Sequence, residues 1–143
     1  MGFFYAINLL CPMTSKTLCP CGTGKEYLDC CGVFHKDISK VETAEQLMRS
    51  RYTAFVKANG KYLLESQHSS TRPTLQIHDI VAWAMSVKWH RLEVDETAKG
   101  SKEDEEGEVK FRAFYMERFR NKCLEEHSKF VKENGHWVYL DKV

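Results

Sequence analysis

The stretch CLEEHSKFVKENGHWVYLDK, from Cys123 to Lys142, carries the clearest signal for the fold. It holds two runs rich in β-branched and aromatic residues, with Asn134-Gly135 between them. An Asn-Gly pair in this position is typical of a β-hairpin, because both residues tolerate the positive φ angles of a type I′ turn. The stretch therefore predicts two antiparallel strands joined by a tight turn.

Two further strands are expected upstream, where the hydrophobic pattern changes from a helical period to a period of two. They lie in VKWHRLEVDETAK (87–99) and GEVKFRAFYMERFR (107–120). The acidic stretch between them is typical of a solvated turn. In the second segment four alternate residues share one face: Val109, Phe111, Ala113 and Tyr115. Together with the hairpin, these segments predict a four-stranded antiparallel meander.

Helical patterns precede the strands. The segment VETAEQLMRSRYTAFVKANGK (41–61) has apolar residues at helical spacing, a capping box at Thr43 and Gln46, and a stop at Asn59-Gly60. A short second helix is expected in KYLLESQHSS (61–70), and a third after the proline that follows. Helices followed by antiparallel strands predict an α+β fold, with the helices packed on a curved sheet.

Length and charge are those of one ordinary globular domain. The chain has 143 residues, of which 29% are charged, and its formal net charge is +1. Because acids and bases nearly cancel, no overall field steers the protein toward nucleic acid or an anionic membrane. We therefore expect no membrane partner, and nucleic acid is a disfavoured one.

The first residues, MGFFYAINLLCPM, are apolar but lack the cationic start and the cleavage site of a signal peptide. The run is also shorter than the ~20 residues of a membrane span. Met13 begins a natural-looking start, so residues 1–12 are expected to be an upstream extension of the reading frame. We expect the whole segment 1–16 to be poorly ordered or accessory to packing. Without an export signal the expected compartment is the cytoplasm, where cysteines serve metal or redox chemistry before disulfides.

Four of the six cysteines are crowded into LCPCGTGKEYLDCCG, residues 18–32. Cys19, Cys21, Cys30 and Cys31 follow the spacing C-x-C-x8-C-C. Four thiolates in one loop suit the closed tetrahedral coordination of a structural Zn²⁺. The pattern therefore predicts a zinc knuckle at the start of the fold.

Spacing alone leaves other kinds of site open. An iron–sulfur site also uses four thiolates. Disulfides are disfavoured by the compartment and by the strain of bridging adjacent cysteines, and the C-x-x-C of a thioredoxin-like pair is absent. His35 is an alternative ligand, but four cysteines already complete the coordination sphere.

The segment CPCGTGKEYLDCCG resembles the SEC-C motif, a zinc-binding module also found at the C-terminus of the preprotein translocase ATPase. Every residue of its C-x-C-x8-C-C signature is present. The resemblance assigns the module to residues 17–36 and its four cysteines as ligands of a structural Zn²⁺. It also implies contacts with another protein or with a ribonucleoprotein, because SEC-C modules are associated with protein and ribosome contacts.

Most of the chain is similar to the YchJ-like family of uncharacterised, bacterial-type proteins. The matching segments beyond the cysteine motif are LMRSRYTAFV, YLLESQH, KWHRLEV, GEVKFRAFY and EHSKFVKENGHWVYLD. The main domain of that family has a nuclear transport factor 2-like (NTF2-like, or cystatin-like) fold, a curved antiparallel sheet wrapped by helices. The resemblance implies this fold for residues 40–143.

A curved sheet under helices can leave a pocket, and five residues are candidates to line it: Arg49, Arg51, Trp89, Glu126 and Ser128. Arg49 and Arg51 cannot share one helix face, so we expect one to point inward and pair with Glu126 while the other stays in water. A buried ion pair is favoured over a clamp for an anionic ligand, because buried charges usually have protein partners. Glu126 and Ser128 are expected to face the interior, where a carboxylate is a candidate general base.

No catalytic residue is assigned, because the sequence has no Ser-His-Asp order, no phosphate-binding glycine loop and no H-E-x-x-H motif. A binding function is favoured over an enzyme. The first hypothesis is a macromolecule-binding adaptor whose zinc motif contacts a protein or a ribonucleoprotein. The alternative is a small-molecule-binding protein or enzyme that uses a pocket in the main domain. A cavity at that place discriminates between them.

Overall fold

The computed structural model describes residues 17–143, so the extension expected over residues 1–16 lies outside the described part of the chain. Within that part, four α-helices precede the sheet: α1 (Cys31–Lys36), α2 (Ala44–Val56), α3 (Gly60–Glu65) and α4 (Ile77–Ser86). The strands that follow are β1 (Lys88–Lys99), β2 (Glu106–Glu117), β3 (Arg120–Glu133) and β4 (His136–Lys142). Short 3-10 turns occupy Tyr27–Asp29, Ile38–Lys40 and Arg72–Thr74.

The strands form one antiparallel meander in the order β1-β2-β3-β4, which confirms the predicted α+β class. In the last hairpin Glu133 pairs with His136. Asn134 and Gly135 alone make the turn, with φ angles of 54° and 85°. Both angles are positive, as a type I′ turn requires.

The turn between β2 and β3 differs from the sequence pattern. The predicted strand segment runs to residue 120, whereas β2 ends at Glu117 and β3 begins at Arg120. Arg118 and Phe119 form the turn, with φ angles of 52° and 65°. Neither residue is glycine, asparagine or aspartate, the types that favour the left-handed region. The sequence therefore carries no signal for this turn.

Side-chain caps fix the ends of the first long helix. The hydroxyl of Thr43 accepts a hydrogen bond from the Gln46 N–H at 3.1 Å, and the Gln46 side chain accepts one from the Glu42 N–H at 2.7 Å. The predicted capping box is thus present, except that the Gln46 side chain accepts from the N–H of Glu42 rather than from that of the N-cap residue Thr43. Asn59 was expected to end a helix, but its side chain also caps the next one by accepting from the Tyr62 N–H at 3.0 Å.

The core lies between α2 and the sheet. α2 packs against β1, β2 and β4, and its other side contacts α1. Leu47 of α2 and Trp137 of β4 are fully buried, and the Trp137 indole donates to the Glu42 carbonyl at 3.0 Å. The predicted buried face of β2 is confirmed, since all four of its alternate residues are buried. Between residues 17 and 143, no helix has the length and apolar character needed to cross a membrane.

Candidate functional site

The four cysteines are held in a compact loop of residues 17–36, which we call the knuckle. An isolated antiparallel bridge between Leu18 and Glu26 folds its first half back on itself. The tight turn inside this half places Gly22 at a φ of 90°, a region that glycine enters without steric cost. The second cysteine pair lies at the start of α1. Turn and helix together bring both pairs to one point.

The sulfur atoms of the four cysteines lie within 4.8 Å of one another, and all four residues are buried. All four are free thiols, and the Cys21 and Cys30 sulfurs are 3.5 Å apart. Zn–S bonds of ~2.3 Å in a tetrahedron place sulfurs about 3.8 Å apart. The cluster therefore fits a four-coordinate metal ion, and its all-sulfur donor set suits Zn²⁺.

Crowding sets the protonation of these thiols. Hydrogen bonds from Cys21 and Cys31 hold the pKa of Cys19 far below its ordinary value. Donation to the Cys19 sulfur raises the pKa of Cys21 to about 11 and the pKa of Cys31 still further. Among these three residues, the hydrogen bonds favour a thiolate at Cys19 beside protonated Cys21 and Cys31. A bound dication relieves this conflict, because metal ligands must all be deprotonated.

Side chains of helix α2 contact the knuckle. Arg49 donates from Nη1 to the Cys21 carbonyl at 2.6 Å and from Nε to Glu45 at 2.9 Å. The fully buried Thr53 lies with its hydroxyl oxygen 3.7 Å from the Cys19 sulfur. Four thiolates with Zn²⁺ would carry a charge of about −2, and Arg49, bonded to the Cys21 carbonyl, would hold a positive charge beside them. The cysteine spacing does not predict these contacts between α2 and the knuckle.

His35 lies beside the knuckle and has both ring nitrogens occupied by protein groups. Its Nε2 is 2.9 Å from the Ser50 carbonyl oxygen, which only accepts, so Nε2 carries the hydrogen. Its Nδ1 then accepts from the Tyr27 hydroxyl at 2.8 Å. Burial lowers the pKa of His35. The ring therefore serves packing and hydrogen bonding between α1 and α2 rather than metal ligation.

A cavity of about 290 Å³ separates the helices from the face of the sheet that they cover. Most of its wall is apolar or aromatic, contributed by α2, α4, β2 and neighbouring segments. The apolar lining residues are Met48, Tyr52, Phe55, Leu63, Leu75, Ile80, Trp83, Trp89, Phe111, Ala113, Tyr115, Leu124 and Phe130. Clefts of this size and character are the usual form of small-molecule sites.

Aromatic rings form one wall of the cavity. Trp89 contacts Trp83 edge-to-face at 5.5 Å and Tyr115 at 5.4 Å between ring centroids. Both indole N–H groups are already used, since Trp83 donates to Glu117 at 2.9 Å and Trp89 donates to the Ala84 carbonyl at 3.1 Å. This wall therefore presents ring surface and no free indole donor.

The cavity also has a polar end, built around Arg51. Its guanidinium donates to the Leu63 carbonyl at 3.1 Å, the Ser66 hydroxyl at 2.8 Å and the Gln67 side-chain oxygen at 3.1 Å. It also lies 4.9 Å from the centre of the Tyr139 ring. Desolvation lowers the pKa of Arg51 to about 10, so the group remains charged at neutral pH.

Glu126 completes the polar end. Its Oε2 accepts hydrogen bonds from the Ser128 hydroxyl at 2.5 Å and from the Tyr139 hydroxyl at 2.9 Å. Burial, with the nearby Glu126 charge, raises the pKa of Tyr139, so the phenol stays protonated and donates. The expected ion pair between Glu126 and an inward arginine does not form. Arg51 instead bonds to uncharged acceptors at the C-terminal end of α3, where exposed carbonyls attract a cation.

Four of the five predicted pocket residues line the cavity: Arg51, Trp89, Glu126 and Ser128. Arg49 lies outside it, against the knuckle. It does not extend into water as expected, because the knuckle covers that face of α2. Gln67 and Tyr139 complete the polar end and are not among the five predicted pocket residues. Alternation along β4 is a weak signal for Tyr139, whereas Gln67 follows a short helix and has none.

A family model described as "YchJ, middle NTF2-like domain" matches residues 43–142. The chain belongs to the YchJ-like family. This YchJ-like chain is 42% identical over 123 residues to a UPF0225 protein of Vibrio parahaemolyticus, covering 86% of the chain and 72% of the relative. It is 43% identical over 123 residues to a UPF0225 protein of Streptomyces coelicolor, covering 86% of the chain and 92% of the relative. The family predicted from the sequence is confirmed.

Two solved structures share the fold of the YchJ-like chain. The solution structure of a SEC-C motif containing protein from Rhodopseudomonas palustris superposes with a TM-score of 0.77 at 28% identity, covering 87% of this chain and 96% of that one. The crystal structure of a SEC-C motif containing protein from Psychrobacter arcticus gives 0.74 at 27% identity, covering 89% and 81%. Both carry in their descriptions the motif that the cysteine spacing indicates.

Proposed function

We propose that the cysteine cluster holds one structural Zn²⁺. Its support is the mutual approach of the four buried sulfurs within 4.8 Å, together with the likeness to SEC-C motif proteins. Zn²⁺ with four protein ligands has no open position for a substrate, so the ion supplies folding free energy rather than catalysis. Elemental analysis of reduced protein is expected to find one zinc per chain, and a metal-free protein with an intact knuckle would remove the proposal.

For the NTF2-like domain, we infer a small-molecule-binding function. The observation that carries it is the cavity of about 290 Å³, whose aromatic wall faces a polar end with Arg51 and Glu126. Most of the wall is apolar with a few convergent polar groups, which is the composition of ligand sites. The missing ion pair favours the same function, because Glu126 has no arginine partner and both of its hydrogen bonds end on one oxygen, which leaves the other oxygen for a ligand. This ranks the pocket above the adaptor role, and no reaction is assigned to it.

A neutral probe without hydrogen-bonding hydrogens tests whether the cavity accepts a ligand. Benzofuran should bind saturably in calorimetric or ligand-observed NMR titrations of the zinc-loaded protein. Ala113→Leu places three extra carbons in the cavity wall and should weaken binding about tenfold, since overpacking costs ~1–3 kcal/mol. Ala98→Leu, at an exposed position of β1, is the matched control. Equal affinity in both variants would exclude the cavity as the site.

A second candidate function is a cytoplasmic adaptor that uses the knuckle to contact a protein or a ribonucleoprotein. The observation favouring it is a group of exposed apolar side chains on the knuckle: Leu18 at 59%, Leu28 at 69% and Val33 at 37% exposure. All three belong to the knuckle of residues 17–36, and apolar side chains that form a contiguous exposed patch are typical of interaction surfaces. Free thiols in the cluster also fit the reducing cytoplasm.

The adaptor role is tested by a variant that keeps the cysteines. Leu18→Ser with Leu28→Ser removes apolar surface while leaving the metal ligands intact. Wild-type protein should co-sediment with purified ribosomes or retain a defined protein in pull-downs, and the double variant should lose that partner while keeping its zinc. Identical partner lists for the two proteins would remove this candidate.

A further inference from the structure

The carboxylate of Glu126 has one saturated and one available oxygen. Both hydrogen bonds to this side chain, from Ser128 and Tyr139, end on Oε2. No group in residues 17–143 donates to Oε1. Every fully buried side-chain nitrogen or oxygen in the same residues has a partner, so Oε1 is not fully buried, and Glu126 lines the cavity. The polar end therefore offers one strong acceptor.

The donors of the polar end are largely committed to the protein. Arg51 gives three hydrogen bonds to α3 and the residues after it. The Gln67 amide donates to Thr71 at 2.8 Å, and the hydroxyls of Ser128 and Tyr139 point at Glu126. Arg51 uses three of its five N–H groups in these bonds, whereas Oε1 of Glu126 receives no hydrogen bond from the described residues, so a donor on a ligand has a defined partner there.

The charge balance of the cavity favours a neutral ligand. Arg51 is positive at neutral pH, and the negative Glu126 acts on it through space. The two lining charges cancel, so a charged ligand would bring an uncompensated charge into an apolar site, which is costly. A neutral donor avoids that cost.

Size and wall shape restrict the ligand further. An apolar cavity of about 150 Å³ takes up benzene, and this one is about twice that size at 290 Å³. The ring surfaces of Trp83, Trp89 and Tyr115 form a wall suited to a flat partner, since aromatic pairs gain from edge-to-face and offset contacts. The volume corresponds to a one- or two-ring molecule.

We propose that the cavity binds a neutral, planar one- or two-ring molecule that carries a hydrogen-bond donor, such as a phenolic hydroxyl or a ring N–H, and that donates it to Oε1 of Glu126. This rests on the proposed small-molecule function and names the class of its ligand. Trp89 and its neighbours contact the ring, and Glu126 determines its orientation.

Indole and benzofuran test this class, because they have the same shape and only indole has a donor. In calorimetric titrations of the zinc-loaded protein, indole should bind at least about tenfold more tightly than benzofuran, the gain from a hydrogen bond to a charged acceptor. In Glu126→Gln the amide oxygen takes the two hydroxyl donors and the amide N–H₂ faces the ligand, so the ratio should fall to about one. Glu125→Gln, an exposed neighbour on β3, should keep the wild-type ratio.

Three results would overturn the proposal. Equal affinity for indole and benzofuran in wild-type protein removes the donor requirement while the binding function stands, and it needs no variant to fold. Tighter binding of indole-3-carboxylate than of indole removes the charge argument. Absence of binding by every probe removes the small-molecule function itself, and the class of ligand falls with it.

Discussion

The knuckle and the cavity lie against different faces of α2, and they differ in what their polar atoms do. At the knuckle, four sulfurs face one another within 4.8 Å, and Arg49 and Thr53 support them from the helix. At the cavity, Arg51 and Glu126 each bond to other partners, and the space beside them is lined mostly by apolar side chains. The sulfurs of the knuckle face one common centre, whereas the polar groups of the cavity border a space of about 290 Å³.

On the functions proposed above, this difference separates a structural role at the knuckle from a binding role at the cavity. A closed set of thiolates can stabilise the fold only when a metal fills it. An open cavity costs stability, because its lining loses dispersion contacts, and this cost is compensated if a ligand binds. Changes at the knuckle should therefore act on folding first, and changes at the cavity should act on binding first.

The largest effect is expected from removal of two metal ligands. Cys30→Ser with Cys31→Ser should abolish zinc binding and destabilise the protein by more than about 4 kcal/mol, as loss of a structural metal does. Two-dimensional NMR spectra should lose the dispersed signals of residues 17–36 before those of the sheet. A chelator that strips the metal should reproduce the spectrum.

The matched control is Cys123→Ser, because this cysteine is exposed on β3, away from the cluster. It should leave stability within about 0.5 kcal/mol of wild type. A stable, folded knuckle in the double serine variant would contradict the metal-centred fold, whatever the control shows.

A smaller effect is expected at the polar end of the cavity. Arg51→Met removes three hydrogen bonds and a positive charge on which Glu126 acts through space. Chemical unfolding should show a loss of about 2 kcal/mol, while zinc stoichiometry stays at the wild-type value. Reduced zinc content in this variant would show that a change at the cavity alters metal binding at the knuckle.

On the other face of the helix, Arg49→Met should act mainly on the metal. It removes the bond to the Cys21 carbonyl, and loss of such outer contacts costs about 10–100-fold in metal affinity. Competition with a zinc chelator measures this change, and the stability of the zinc-loaded protein should fall by about 1 kcal/mol. Arg91→Met is the control, because Arg91 is exposed on β1. Unchanged zinc affinity in Arg49→Met would exclude a supporting role.

Sequence and structure agree best where one residue type has few alternatives. The Asn134-Gly135 turn and the cysteine spacing could be predicted because positive φ angles and tetrahedral thiolate sites select their residues. The turn at Arg118 and Phe119 also requires positive φ angles, but neither residue is of a type that favours them, so the sequence gives no signal for it. The two hairpins therefore make the same demand on the backbone and differ in whether their residues match it.

The arginines show what a helical pattern leaves out. Spacing correctly separates Arg49 and Arg51 onto different faces, but it predicts that one of them stays in water. That expectation assumes a helix with one covered face, whereas α2 is covered by the sheet on one side and by the knuckle on the other. Which acceptor each guanidinium finds depends on contacts with segments distant in sequence, such as the end of α3.

The smallest effect is expected from the titration of His35. Burial lowers its pKa below the ordinary value of about 6.5, so the unfolded chain takes up a proton more readily than the folded one. Stability should therefore fall as pH decreases through 6.5, and the loss should be smaller in His35→Gln by the share that this ring contributes. An NMR titration of the His35 ring should give a midpoint below 6.5, and a midpoint above it would contradict the buried, neutral ring.

X-ray absorption at the zinc edge of freshly purified, reduced protein tests the metal-centred knuckle most directly. The expected spectrum has one zinc per chain with four sulfur neighbours at about 2.3 Å and no nitrogen or oxygen ligand. A protein that contains no zinc, or a zinc with fewer than four sulfur ligands, would contradict the central claim that the four cysteines close around a single structural ion.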